Sequence, residues 1–228
     1  VALIVFLSSG EKKAKEEIIQ PQRAQLVSAS IKELERYKHA FNDVKKLYEE
    51  RTELVVNKLK PTGTSLRKTI QKVTDESYEN SLLDISYYSA DVNQTLLLAR
   101  LYVNKYLETN NEQDFQRAEQ ELLLLDKSLN LLVSKLEDNT SINLISQFKS
   151  EKEQYITTMM RIKEVIAKRN NLISNVLDKA GPAAASQLEQ VKLSVKADQD
   201  KLGPQAQAAA DNAISQSIIF SLFVIGAG

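Results

Sequence analysis

Residues 115–136 read FQRAEQELLLLDKSLNLLVSKL and carry the clearest helical repeat of the chain. Apolar side chains recur in alternating steps of three and four residues at Phe115, Ala118, Leu122, Leu125, Leu129, Leu132 and Leu136. Such a repeat places a single apolar stripe along an α-helix, as in a coiled coil or a long helical bundle. The stretch therefore predicts a long amphipathic helix that packs against other helices.

Similar apolar spacing continues on both sides of this stretch. The first long helix is predicted to reach Leu59, with its stripe at Val27, Ile31, Leu34, Tyr37, Phe41, Val44, Tyr48, Val55 and Leu59. Further stripes occur within residues 92–106, 145–176 and 188–213. No segment of useful length alternates apolar and polar residues with the period of two that a β-strand shows. We therefore expect an all-α fold without a sheet.

Polar, Gly and Pro residues mark the expected ends of these helices. The sequence KPTGT at residues 60–64 predicts a tight turn, because Pro and Gly both disfavour continuation of a helix. Further interruptions are expected at residues 77–80, at 108–111, at 138–141, where Asp and Ser supply N-cap side chains, and at Gly181-Pro182.

Composition excludes several classes of function. The chain has 228 residues with 30 basic and 30 acidic side chains, so it lacks the positive charge that nucleic-acid binding requires. It contains no Cys and a single His, which excludes disulfides, thiolate metal sites and cysteine nucleophiles. Neither a phosphate-binding glycine loop nor a hydrolase or metalloprotease motif is present. We expect no enzyme activity, no cofactor and no metal site.

Both ends of the sequence are apolar. Residues 1–7 read VALIVFL and residues 218–228 read IIFSLFVIGAG, and each run is shorter than the ~20 residues that span a bilayer. We interpret residues 1–9 and 217–228 as parts of two transmembrane helices, with residues 10–216 as the extracytoplasmic loop between them. The alternative is two apolar termini that pack on a globular core.

Helix lengths suggest how the loop is arranged. Residues 10–58 would form about 73 Å of helix and residues 64–108 about 67 Å, so the chain would leave the membrane and return over a similar distance. We expect an elongated six-helix domain of two stacked four-helix modules that share the long first and last helices. The second distal turn lies either near Arg169 or closer to Gly181 with staggered helices, and the sequence leaves both open.

Several charged residues fall within the apolar stripes, where an unpaired charge is costly. They are Arg23, Arg51, Lys152, Arg169 and Asp198. These side chains either pair with each other, hold an anionic ligand, or lie where the stripe is locally solvated. An arginine suits a carboxylate because its planar group bonds both oxygens at once.

These arginines define two candidate ligand sites. Arg51 and Arg67 would lie at the distal end, and Arg169 would join them if the second turn is nearby. Arg23 would lie at the height of Arg100 and Arg117 and mark a second basic site.

Other interpretations compete with ligand binding at each position. Asp198 would neutralise Arg23, and Arg51 would pair with Glu50 or Glu53 if the stripe shifts by one residue. Tyr78 would line a pocket at the junction of the modules, or simply pack.

A short motif near the C-terminal third resembles a known family. Residues 169–170 read RN, residues 177–185 read LDKAGPAAA, and residues 199–204 read QDKLGP. This pattern resembles the helical bimodular sensor domain of bacterial methyl-accepting chemotaxis receptors. The resemblance implies a six-helix periplasmic domain of two stacked four-helix modules that acts as a homodimer. It also implies small organic acids as ligands, such as C4 dicarboxylates, citrate or acetate, bound partly by arginines on the long helices.

The resulting hypothesis is a sensor domain of a chemoreceptor in the bacterial inner membrane. A small carboxylate would bind between helices in the periplasm, and the last helix would carry the signal into the second membrane segment. The alternatives are a sensor domain of a transmembrane histidine kinase, a receptor for a periplasmic binding protein that docks on the distal tip, and a structural coiled-coil tether.

Overall fold

The computed structural model describes residues 20–226, with side chains described for residues 20–216, and this part of the chain contains no β-strand. It contains α1 (Pro21–Glu53), α2 (Lys60–Glu79), α3 (Leu83–Thr109), α4 (Glu112–Val133), α5 (Asn139–Leu172) and α6 (Asp178–Gly226). Two π-helical segments, π1 (Leu54–Leu59) and π2 (Ile173–Leu177), complete it. The all-α prediction is confirmed.

The described residues form four continuous helical stretches rather than six separate helices. α1, π1 and α2 follow one another without a break, as do α5, π2 and α6. The turn predicted at residues 60–64 is therefore wrong. Pro61 lies in the first turn after π1, where the hydrogen-bond pattern changes and the missing N–H of proline is tolerated. Gly63 has no positive φ and lies beside Arg100 and Tyr155, where a Cβ atom would be 3.0 Å from either side chain.

The interruption predicted at Gly181-Pro182 is also absent. Pro182 and Pro204 both lie inside α6, so neither ends the helix. Gly181 packs closely instead, because a Cβ atom there would be 3.4 Å from the ring of Tyr37. The second distal turn expected near Arg169 or Gly181 does not exist in this part of the chain.

The actual turns lie at residues 80–82, 110–111 and 134–138. Ser81 and Asn110 adopt φ angles of 60° and 54°, which lets the chain reverse within a few residues. The Asn111 side chain accepts a hydrogen bond from the Gln113 N–H (2.9 Å) and caps α4, and Asp138 accepts one from the Ser141 N–H (2.7 Å) at the start of α5. The turns predicted near residues 108–111 and 138–141 are confirmed.

The chain divides into two compact units, of which Asp43–Asn171 forms the four-helix unit. Neighbouring helices are joined by polar contacts between Gln71 and Asn93, Arg117 and Tyr102, Asp126 and Lys152, and Glu50 and Arg161. Its core takes side chains from all four helices. The repeat within residues 115–136 lies in this core as predicted, with every member buried except the half-buried Leu136.

The other unit is described for residues 20–42 and 172–226, and we call it the two-helix unit. Its two helical portions run antiparallel, because Arg23 contacts Ser194 and Tyr37 lies beside Gly181. The buried side chains are small and comprise Ser30, Ala40, Ala180 and Ala184. The described residues therefore show one helical pair here, where the sequence predicts a four-helix module.

Among the described residues, no helix is both long enough and apolar enough to cross a membrane. The membrane helix expected at residues 1–9 lies outside the described residues. Residues 217–226 continue α6, and their side chains also lie outside the description.

Candidate anion-binding site

Two of the predicted arginines lie near Tyr106 at one end of the four-helix unit. Arg51 lies in the last turn of α1 and Arg169 in the last turn of α5. Both side chains are half-buried, and both act electrostatically on the hydroxyl group of Tyr106 near the C-terminus of α3. The turn at residues 110–111 closes this end of the unit.

The guanidinium groups make hydrogen bonds but no described ion pair. Arg51 Nη2 donates to the Leu107 carbonyl oxygen (2.6 Å), while its buried Nε has no hydrogen-bond partner among the described residues. Arg169 donates from Nε and Nη2 to Asn170 Oδ1 (3.1 and 2.9 Å). The alternative pairing of Arg51 with Glu50 is wrong, because Glu50 binds Arg161 (2.6 Å).

Tyr106 is a buried residue whose hydroxyl group lies within electrostatic reach of these two charges. Burial raises its pKa, the Glu112 carboxylate raises it further, and the positive charges of Arg169 and Arg51 lower it. Glu112 itself is paired with Lys163 (2.6 Å). Tyr106 is therefore a neutral hydrogen-bond donor at neutral pH, and the adjacent carboxylate is already occupied.

A second unsatisfied polar atom lies at the same end of the unit. Asn110 Oδ1 is buried and has no hydrogen-bond partner in the described part of the chain. Buried polar atoms in folded proteins are nearly always hydrogen-bonded to protein, water or ligand. Two guanidinium groups, a neutral phenol and an amide oxygen together suit a small carboxylate that also carries a hydroxyl group.

Arg100 occupies a separate position within the four-helix unit. It is half-buried on α3 beside Gly63, and its charge lowers the pKa of Tyr155 against the dominant effect of burial, which raises that pKa to about 12. Among the described residues it makes no hydrogen bond and no ion pair. Arg100 belongs to the four-helix unit and Arg23 to the two-helix unit, so their predicted grouping stays a prediction.

Arg23 is neutralised within the two-helix unit. Its Nη2 atom binds Asp198 Oδ2 (2.5 Å) and the Ser194 carbonyl oxygen (2.6 Å), and its Nε donates to Ser194 Oγ (2.9 Å). The alternative interpretation, in which Asp198 pairs with Arg23, is confirmed. These contacts use most of the guanidinium donors and favour a structural role over ligand binding.

Arg67 and Tyr78 lie on the surface. Arg67 is exposed in a shallow groove along one face of α2, together with Lys68, Glu76 and Glu79. It is 16 residues from Arg51 on one continuous helical stretch, about 24 Å away, so the predicted Arg51–Arg67 grouping is wrong. Tyr78 is 71% exposed.

Tyr106 and Asn110 belong to the candidate site, although the sequence alone does not predict it. Tyr106 ends the apolar stripe within residues 92–106, which predicts burial of its ring but says nothing of its hydroxyl. Asn110 stands in a turn, where Asn is common for conformational reasons. Both residues carry a polar group at or just after the end of an apolar stripe. This pattern indicates a binding site only once Arg51 and Arg169 are known to lie at the same end of the unit.

Comparison with known proteins identifies the type of domain. The model of the helical bimodular sensor domain family matches residues 6–183, which is more than half of the chain. No curated protein sequence matches the chain. Domains of this family are sensory rather than catalytic, and they typically form the extracytoplasmic part of membrane receptors. The chain therefore belongs to the helical bimodular sensor domain family.

Proposed function

We propose that the chain is the periplasmic sensor domain of a bacterial chemoreceptor, and that it binds a small organic acid at Arg51 and Arg169. One observation supports this proposal: two half-buried guanidinium groups from different helices act electrostatically on the hydroxyl of the buried residue Tyr106, and neither has a carboxylate partner among the described residues. A carboxylate ligand would satisfy the buried Arg51 Nε and offset the cost of two nearby positive charges.

Signal output would run through the last helix. α5 carries Arg169, and the same continuous helical stretch continues through π2 and α6 to Gly226. A ligand that prefers one arrangement of this helix shifts the population toward it, and the change is passed along the helix into a membrane segment.

A second copy of the chain would complete the two-helix unit. The large apolar residues of its stripe, Val27, Ile31 and Leu34, are only half-buried, and Leu188 and Val195 on the opposite helix remain 37% exposed. Two helices cannot enclose a core, whereas two such pairs form a four-helix bundle. We therefore include a homodimer in the proposal.

A sensor domain of a transmembrane histidine kinase is the alternative output, since both receptor types use domains of this family. The sequence that follows Gly228 distinguishes them. A HAMP segment with a methylatable coiled coil supports a chemoreceptor, and a phosphotransfer His domain supports a kinase.

Recognition of a periplasmic binding protein is a second candidate function. It is favoured by exposed apolar side chains at the end of the four-helix unit opposite Arg51, where Tyr78, Leu83 and Tyr87 are 71%, 69% and 70% exposed around the turn at residues 80–82. Such a receptor would respond to a protein and show no affinity for free organic acids.

Calorimetric titration of the chain with malate, succinate, citrate and acetate tests the proposal. We expect at least one acid to bind, and Arg51→Gln and Arg169→Gln each to weaken binding by about tenfold or more, the value of one charge-assisted hydrogen bond. Arg67→Gln is the matched control, since Arg67 is exposed on the same helical stretch, and should leave affinity unchanged. A folded chain that binds none of these acids would contradict the proposal.

A further inference from the structure

α3 carries a second helical repeat on the face opposite to its buried side chains. The core-facing side chains of α3 include Val92, Leu96, Ala99 and Val103. On the other face, exposed side chains recur in alternating steps of four and three residues. We call them the outer stripe, and they are Leu83, Tyr87, Ala90, Gln94, Leu97, Leu101 and Asn104. This spacing is the a/d repeat of a coiled coil, which forms where one helix lies against another.

The outer stripe is apolar for a surface that faces solvent. Leu83 and Tyr87 are 69% and 70% exposed, Leu97 and Leu101 are each 47% exposed, and no member of the stripe is charged. A surface helix normally carries charged and polar residues opposite its buried stripe. The outer face of α2 in the same unit follows that rule, with a groove lined by Arg67, Lys68, Gln71, Lys72, Asp75, Glu76 and Glu79. α3 therefore has two apolar faces, and the second one remains exposed among the described residues.

We propose that the outer stripe is a contact surface for the α3 helix of a second copy of the chain, with the two helices parallel. The inference rests on the proposed function, because two receptors held in one membrane present their helices in the same direction. A seam between identical parallel helices brings each member of the stripe against the same member of the other copy.

The polar members of the stripe favour a second copy as the occupant. Gln94 and Asn104 each carry a carboxamide, which has both a hydrogen-bond donor and an acceptor. Each can therefore bond the same group of a second copy, and an amide at such a seam fixes the register of the two helices. Parallel pairing brings no like charges together inside the seam, because the stripe contains none. The outer stripe is thus complementary to itself.

Charged side chains beside the stripe are held within the chain. The Lys105 ammonium lies over the Tyr102 ring, 5.1 Å from its centre, and the carboxylate of Asp84 is 3.8 Å from the Lys135 ammonium. These contacts direct both charges toward their own four-helix unit. The apolar surface between them remains available for a second helix.

The length of the stripe favours a helix over a protein that docks on a turn. Leu83 and Tyr87 lie close to the turn at residues 80–82, but the stripe continues along α3 to Asn104. A partner that contacts only the turn would leave Leu97 and Leu101 exposed. The stripe also belongs to the four-helix unit, so it adds a self-association surface to the one proposed for the two-helix unit.

Disulfide cross-linking tests the contact and its direction. The chain has no Cys, so the single variants Ala90→Cys, Leu97→Cys and Asn104→Cys place thiols seven residues apart along the stripe. Under oxidation of the full chain in membranes, we expect all three variants to form covalent dimers. Two antiparallel helices align only one position with itself, whereas these positions span about 21 Å. Leu123→Cys is the matched control, since Leu123 is 65% exposed on α4 and should give no dimer.

A charge in the stripe should weaken self-association. Leu97→Asp places two carboxylates against each other in the proposed pair, so we expect the dissociation constant of self-association, measured by sedimentation, to rise by about tenfold or more. Circular dichroism checks that the variant stays folded, as the exposure of Leu97 predicts. Leu123→Asp adds the same charge to α4 and should leave the dissociation constant unchanged. Equal dissociation constants for the two folded variants would overturn the proposal.

The outcomes separate this inference from the proposed function. Cross-links at fewer than all three stripe positions overturn the parallel α3 contact, while acid binding measured by calorimetry leaves the proposed function in place. Cross-links from Leu97→Cys to a different protein, without dimers of the chain, also overturn the contact and favour a periplasmic binding protein. Cross-links at all three positions in a folded chain that binds no acid support the contact and contradict only the proposed ligand.

Discussion

Gly63 lies in a helix rather than in a turn because of its neighbours. Its missing side chain makes room for the Arg100 guanidinium and the buried Tyr155 ring. A Gly next to a Pro in sequence suggests a turn, yet here the Gly serves close packing. The distinction depends on residues 37 and 92 positions away in the chain, which no local pattern contains.

Gly63→Ala should destabilise the chain although alanine is the better helix former. A Cβ atom would be 3.0 Å from Tyr155 Cε2, and the buried ring cannot move away as the end of Arg100 can. We expect a net loss of about 1 kcal/mol, since overpacking costs about 1–3 kcal/mol and alanine regains about 1 kcal/mol of helix propensity. Denaturant unfolding measures it, with the exposed neighbour variant Thr64→Ala as a control that should be neutral or slightly stabilising. Equal stability of both variants would contradict the packing role of Gly63.

Tyr155 should make stability fall in alkaline solution. Burial raises its pKa from 10.0 in the unfolded chain to about 12 in the folded chain. The contribution of this shift to the free energy of unfolding is complete below pH 10. It is lost as the pH rises toward 12, by up to about 1.4 kcal/mol per pH unit. Unfolding at a series of pH values should show a steeper alkaline decline for the native chain than for Tyr155→Phe. Parallel profiles would show that Tyr155 titrates normally.

At the scale of one element, the repeat of α4 predicts burial accurately. Leu129→Ala should cost about 2–5 kcal/mol, because the side chain is 1% exposed and its loss leaves a cavity. Leu123→Ala should change stability by less than about 0.5 kcal/mol, because Leu123 is 65% exposed on the same helix. Chemical denaturation of both variants measures the contrast. A similar cost for both would mean that α4 is rotated relative to the arrangement described here.

Helix interiors and true turns were predictable in α3, α4 and α5, where apolar spacing and capping side chains agree. The sequence did not reveal that the helical stretches continue through Pro61 and Pro182. Pro61 lies directly after π1, where a change in hydrogen-bond pattern accommodates its missing N–H, whereas Pro182 lies inside α6, which continues through it. A π segment has no distinctive composition, so local sequence does not reveal it.

At the scale of the whole molecule, the two units should differ in amide exchange. Core amides of α2, α3 and α4 should exchange slowly at any protein concentration, because the four-helix unit is fully packed within one chain. Amides of residues 20–42 and 178–216 should exchange fast in dilute solution and more slowly at high concentration, where a second copy covers the two-helix unit. Hydrogen exchange read by mass spectrometry checks this. If the amide exchange rates of the two-helix unit did not depend on protein concentration, the proposed dimer would be contradicted.

The sequence alone determined the all-α class, the core face of α4 and α5 and the family of the domain, because these depend on periodicity and motifs within short stretches. Only the tertiary structure decided that Arg51 and Arg169 both lie near Tyr106, that Asp198 neutralises Arg23, and that two Gly/Pro-containing segments stay helical. The physical reason is that pairing and close approach depend on which helices lie side by side and in what register. A stripe of apolar residues specifies that a helix packs, but not which partner it meets or at what height.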